Sequence, residues 1–159
     1  MHRIIIQYAA DKTLAPKASL LRRYANTALD TKFPAAEITI RIVDVNEMSE
    51  LNSHYRQKQG ATNVLSFPFT LPDDVELDIP LLGDIVICAD VVNREAKEQG
   101  KERDAHWAHM IVHGVFHLLG YDHELDHEAD IMEAQEITVM QTLGFSNPYQ
   151  AGEDITQYD

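Results

Sequence analysis

Every stretch with strand character ends before Asp90, and everything after it has helical spacing. The strand candidates are Arg3–Tyr8, Glu37–Val45, Asn63–Phe69 and Leu82–Ala89. Glu37–Val45 alternates Ile38, Ile40 and Ile42 with Thr39 and Arg41, as a half-buried strand does. Pro16, at home in a first helical turn, leads into a stripe of Leu20, Leu21, Tyr24 and Leu29. Asn46 is the expected N-cap of a helix reaching about Gln57, closed by Gly60. Three helices follow the last strand. Val91–Gln99 closes at Gly100, Arg103–Leu119 stops at Gly120, and Asp126–Leu143 ends with Gly144 in the C′ position. The order β-α-β-α-β-β-α-α-α predicts an α/β (α+β) fold: one mixed four-stranded sheet with about five helices packed on it. A length of 159 residues fits a single domain spanning 1–159. Residues 145–159 read as a frayed tail. Leu71–Asp78 reads as an acidic, mobile loop.

Several function classes drop out early. A chain that is 45% apolar and 25% charged is not intrinsically disordered. No apolar run approaches the roughly 20 residues of a membrane helix. Arg3 is followed by only three isoleucines, too few for a signal peptide. The one cysteine, Cys88, cannot form an internal disulfide and reads as a buried strand residue. A cytoplasmic location is the simplest expectation.

The segment His113-Gly114-Val115-Phe116-His117-Leu118-Leu119-Gly120-Tyr121-Asp122-His123 carries the chemistry. Two histidines four apart on a helix are separated by about 40° around the axis and about 6 Å along it, so both imidazoles can reach one ion. His106 and His109 lie on the same stripe. However, His109 to His117 spans about 12 Å of helix, too far for three side chains on one metal. The third ligand therefore has to come from chain that has left the helix, and Gly120 supplies the break. His123 is the natural third ligand, with His127 as its substitute. A fourth position holding water marks a catalytic zinc site. Trp107, Met110, Ile111 and Leu118 form the expected core face, with the histidine stripe facing outward.

The spacing His-x3-His-x2-Gly-x2-His is that of metzincin proteases, which carry a glutamate directly after the first histidine as general base. Here that position is Gly114. Peptide hydrolysis lacks its usual proton acceptor. The glycine leaves either room for a bulky substrate or a close helix–sheet contact.

Residues 113–123 match throughout the hallmark His-Gly-x-x-His-Leu-x-Gly-Tyr-Asp-His of the YbeY family of bacterial endoribonucleases, which this sequence resembles. Tyr55-Arg56-x-Lys58 with Thr62-Asn63-Val64-Leu65-Ser66-Phe67-Pro68, and Gly83-Asp84-Ile85, resemble two further family blocks. The resemblance implies a metal-dependent, single-strand-specific endoribonuclease. Its role would be maturation of the 16S rRNA 3′ end and ribosome quality control, with the small subunit and its assembly factors as partners. It implies one zinc ion on His113, His117 and His123, with His113 and Arg56 as catalytic residues. Arg56 would offer a planar fork of donors to the phosphate, and Lys58 would help to steer the backbone. Asp122 is either a partner that orients a histidine or the cap of a turn. The general base stays open between a water at the ion, Asp122 and a ribose 2′-hydroxyl. Two other readings remain: a metzincin-like zinc peptidase or hydrolase, and a non-catalytic ribosome-assembly factor with a structural metal.

A net charge of −13 argues at first against a phosphate-bearing partner. Its distribution weakens that objection. Residues 1–58 hold nine basic and six acidic side chains, while residues 59–159 hold four and twenty. RNA is therefore expected along the N-terminal half and the metal cleft, away from the acidic last helices.

Overall fold

The computed structural model describes residues 2–70, 72, 77–121 and 126–150. The strands are β1 (Arg3–Tyr8), β2 (Glu37–Val43), β3 (Val64–Pro68) and β4 (Leu81–Cys88). The helices are α1 (Ala18–Leu29), α2 (Val45–Arg56), α3 (Ala89–Glu98), α4 (Arg103–Leu118) and α5 (Asp126–Thr142). They form a single α/β domain around one mixed four-stranded sheet of order β1-β2-β4-β3. β1 and β4 flank β2 in parallel, and β3 pairs antiparallel with β4 at the edge. The parallel pairs need crossover connections, which the helices provide.

Alternation along the strands builds two apolar layers. Ile38, Ile40, Ile42, Ile85 and Ile87 join α1, α4 and α5 in the main core. Val86, Cys88 and Leu65 point the other way and pack with Met48 of α2 and Val91 of α3. Cys88 is buried as expected, and burial raises its thiol pKa. Among the described residues, no helix is long and apolar enough to cross a membrane.

Three departures from the sequence reading have identifiable causes. β2 stops at Val43 because the Asp44 carboxylate caps α2, accepting from the Glu47 backbone N–H at 2.8 Å. The expected cap, Asn46, lies inside the first turn. Arg41 of β2 then grips Glu47 through Nε at 2.7 Å and Nη2 at 3.2 Å, tying strand to helix. At its far end α2 closes at Gln57, whose φ of 56° is left-handed, rather than at Gly60.

The third departure is the stretch expected to fray. Phe145 packs edge-on against Tyr24 at 5.9 Å between ring centroids. Pro148–Gln150 forms a 3-10 turn. Residues 145–150 are thus held by aromatic burial, and 151–159 lie outside the described residues.

α4 lies at the centre, touching α1, α3, α5, β3 and β4. Its expected core face of Trp107, Met110, Ile111 and Leu118 is buried. The helix comes unusually close to the sheet at Gly114. A Cβ there would meet Ile85 Cγ2 at 3.1 Å and Ser66 Oγ at 3.4 Å. Ser66 Oγ also donates to the Gly114 carbonyl at 3.0 Å. Of the two sequence explanations for Gly114, the structure supports close packing.

Candidate active site

The α4 histidines do not form one outward stripe. His106 and His109 are each 1% exposed, whereas the His113 side chain is 19% exposed. The reason is that α5, α3 and the C-terminal turn cover this side of the helix, each bringing a polar partner. His106 Nε2 meets Glu95 Oε1 of α3 at 2.9 Å, and Asn63 Nδ2 donates to both Glu95 oxygens at 3.2 Å. His109 Nε2 meets Glu136 Oε1 of α5 at 2.6 Å. The Tyr149 hydroxyl donates to that same oxygen at 2.8 Å. The other Glu136 oxygen faces His113 Nδ1 at 3.3 Å.

Burial works to raise the Glu136 pKa, but hydrogen bonds from His109 and His113 outweigh it and hold the group at about 2. Glu136 is therefore an ionised carboxylate, which can only accept. Burial lowers the His109 pKa and keeps that ring neutral. Burial and the adjacent Glu136 charge raise the Tyr149 pKa, so its hydroxyl stays protonated and donates.

This pattern fixes tautomers. If Glu136 accepts from His109 Nε2 and His113 Nδ1, each of those nitrogens carries a proton. The other ring nitrogen, His113 Nε2, faces His117 Nε2 at 3.0 Å. The two rings stand 4.6 Å apart between centroids at an interplanar angle of 83°. Two nitrogens bound to a tetrahedral ion at 2.0–2.1 Å would sit about 3.3 Å apart, close to this spacing.

His113 thus belongs to two groups that suit a cation. His109, His113 and Glu136 offer ligand atoms within 4.8 Å of one another, so this triad could hold a metal ion. On its other edge, His113 shares a convergent pair with His117. His123 and Asp122, the expected third ligand and its neighbour, lie outside the described residues. His127, the substitute, is exposed on the first turn of α5.

His113 and His117 open onto a cavity of about 660 Å³ between α4, α5 and the edge strand β3. Arg56, at the end of α2, lines the same cavity. Among the described residues it is the only lysine or arginine in the wall, and α5 contributes Glu133 and Glu136 opposite. Lys58 is exposed on the following loop and does not line the cavity. That loop is anchored from beneath by Asn52, which is 3% exposed. Its Nδ2 donates to the Gly60 carbonyl at 2.8 Å, and its backbone carbonyl accepts from Lys58 N at 3.2 Å.

Glu136 and Tyr149 were absent from the sequence reading. A signal for Glu136 exists. Met132, Val139, Met140 and Leu143 make the buried stripe of α5, and Glu136 occupies a position on that stripe. A carboxylate placed there must be paired. No comparable signal marks Tyr149.

A family model described as Endoribonuclease YbeY matches residues 7–144. The chain belongs to the YbeY endoribonuclease family. A Nitrosococcus oceani protein named Endoribonuclease YbeY is 52% identical over 146 residues, covering 92% of this chain and 95% of its own. A protein of that name from Pseudomonas syringae pv. syringae is 56% identical over 140 residues, covering 88% of this chain and 84% of its own. One from Methylococcus capsulatus is 55% identical over 140 residues, covering 88% and 91%. The YbeY resemblance read from residues 55–123 therefore extends to most of the chain. The solution structure of TM1509 from Thermotoga maritima has the same fold, with a TM-score of 0.58 at 23% identity, covering 99% of this chain and all of that one.

Proposed function

We propose that this chain is a zinc-dependent, single-strand-specific endoribonuclease that acts in the cytoplasm on the 16S rRNA precursor. Its role is 3′-end maturation and ribosome quality control, alongside the small subunit and its assembly factors. Membership of the YbeY family supports the activity. The observation that carries the site assignment is the shared cavity, lined by Arg56 together with the convergent His113 and His117.

In this reading His113 and His117 hold the zinc through Nε2, and His123 completes the set. Glu136 acts through His113, fixing its tautomer and ring orientation from Nδ1, as carboxylates commonly do behind histidine ligands. The donor chemistry fits: two imidazoles converge at an opening, while the carboxylate behind them already has three hydrogen-bond partners. Zinc in that position supplies Lewis acidity toward a phosphoryl oxygen and toward water. Arg56 binds the scissile phosphate through its fork of donors and neutralises charge that develops on its oxygens. Lys58 attracts the strand from outside the cavity.

The peptidase alternative is disfavoured by Gly114, where no carboxylate stands and even a Cβ would press on Ile85 of the sheet. The test is a cleavage panel on purified protein. Single-stranded RNA is cut internally, while duplex RNA of the same sequence and an unstructured peptide stay intact. Peptide cleavage without RNA cleavage would overturn the proposal.

A further inference from the structure

The last turn of α2 carries two neighbouring side chains with different surroundings. Arg56 reaches the histidine cavity around the edge strand, whereas Tyr55 is 60% exposed. A tyrosine so exposed leaves much of its apolar ring in water, and single exposed aromatics are usually incidental. Tyr55 is not isolated, however. Its ring meets Phe67 of β3 edge-on, with centroids 5.3 Å apart at 70°. His54 meets it on another side at 4.7 Å and 84°. Neither neighbour stacks parallel to the ring, and Tyr55 keeps most of its surface exposed. Phe67 in turn sits between Ser66 and Pro68, both of which line the cavity.

The geometry below this cluster is fixed. Gln57 turns the chain sharply in the left-handed region, and buried Asn52 secures the loop that follows. Tyr55 and Arg56 are therefore presented from a rigid helix end.

Charge selects what can lie there. The α5 wall of the cavity carries Glu133 and Glu136, so an anionic strand is repelled on that side. The α2 side presents Arg56 and, beyond it, the exposed Lys58. A polyanion held in the cavity by Arg56 lies beside Tyr55, the preceding residue of α2. Single-stranded nucleic acid is the ligand that combines phosphates for the cations with unpaired ring faces for an exposed aromatic.

We propose that the exposed Tyr55 ring, braced by His54 and Phe67, is a stacking platform for an unpaired base of the RNA strand whose phosphate Arg56 holds. This rests on the ribonuclease reading above and adds to it a structural reason for single-strand preference, because a paired base has no free face to offer.

The experiment measures affinity of the zinc-loaded protein for a short single-stranded RNA by fluorescence anisotropy, together with cleavage kinetics. Tyr55→Ala should weaken binding about 5- to 150-fold, the range for losing one base–aromatic stack. KM should rise by the same factor with kcat little changed. Tyr55→Trp and Tyr55→Phe should restore affinity. Zinc content and melting temperature should match the parent, since the side chain is mostly exposed. A series of RNAs with one abasic position each should contain one for which the parent and Tyr55→Ala bind equally. An affinity for Tyr55→Ala within twofold of the parent would overturn the platform and leave the ribonuclease reading standing. A parent protein that neither binds nor cuts single-stranded RNA would remove the ribonuclease reading, and the platform with it.

Discussion

The two ends of α4 carry the same residue type in opposite circumstances. In the first turns, His106 and His109 are sealed from solvent, and each is matched to a carboxylate on another helix. In the last turns, His113 and His117 lean toward each other and open onto a cavity shared with Arg56. Four histidines on one helix thus divide into a pair sealed in the core and a pair that lines the cavity. Glu136 joins the two: one oxygen closes off His109 and the other orients His113. The lesson concerns exposure rather than residue type. His109 and His113 both meet the Glu136 carboxylate, but only His113 also reaches the cavity with a second ring nitrogen turned toward His117.

Substitution can break this division, and the largest effect is expected at the open end. His117→Ala should reduce zinc to background in elemental analysis and abolish RNA cleavage, with the fold retained by circular dichroism. Zinc bound at one ion per chain in that variant would place the metal elsewhere, with the His109–His113–Glu136 triad the leading alternative. Next comes Arg56→Glu, which should keep its zinc but lose about 10²- to 10³-fold in kcat, the usual range for a group that stabilises transition-state charge. Cleavage at the parent rate would remove the phosphate clamp.

Glu136→Gln probes the link between the two ends. The amide cannot accept from both histidines as the carboxylate does, so zinc affinity measured by chelator competition should fall about 10- to 100-fold. Unchanged affinity would mean that Glu136 serves packing alone. The smallest functional effect is expected at the sealed end. His106→Gln should retain full zinc content and cleavage per folded molecule, while denaturant unfolding shows a loss of about 1–3 kcal/mol from the disturbed Glu95 pairing.

Legibility in the sequence followed the range of the interaction. The sheet and five helices were readable because strand alternation and helical spacing are local patterns. The His113–His117 pair was readable for the same reason, since its geometry is contained in one helical turn. The sealing of His106 and His109 was not, because it depends on α3 and α5 arriving from elsewhere. Likewise the Glu136 link to His113 spans 23 positions and exists only once α5 packs on α4. The order in residues 145–150 comes from Phe145 finding Tyr24 and from Tyr149 finding Glu136, contacts that no local pattern announces. Arg56 was found through its resemblance to a family block, and its position in the cavity depends on α2 ending beside the edge strand.

The central claim is that RNA cleavage depends on a metal held at the open end of α4. It is tested most directly by following zinc content and single-stranded RNA cleavage together during graded chelation. Cleavage should fall in proportion to zinc, reach background when the last ion is removed, and return when zinc is added back at one equivalent per chain. Protein shown by elemental analysis to be free of metal, yet still cutting RNA at the parent rate, would contradict the account.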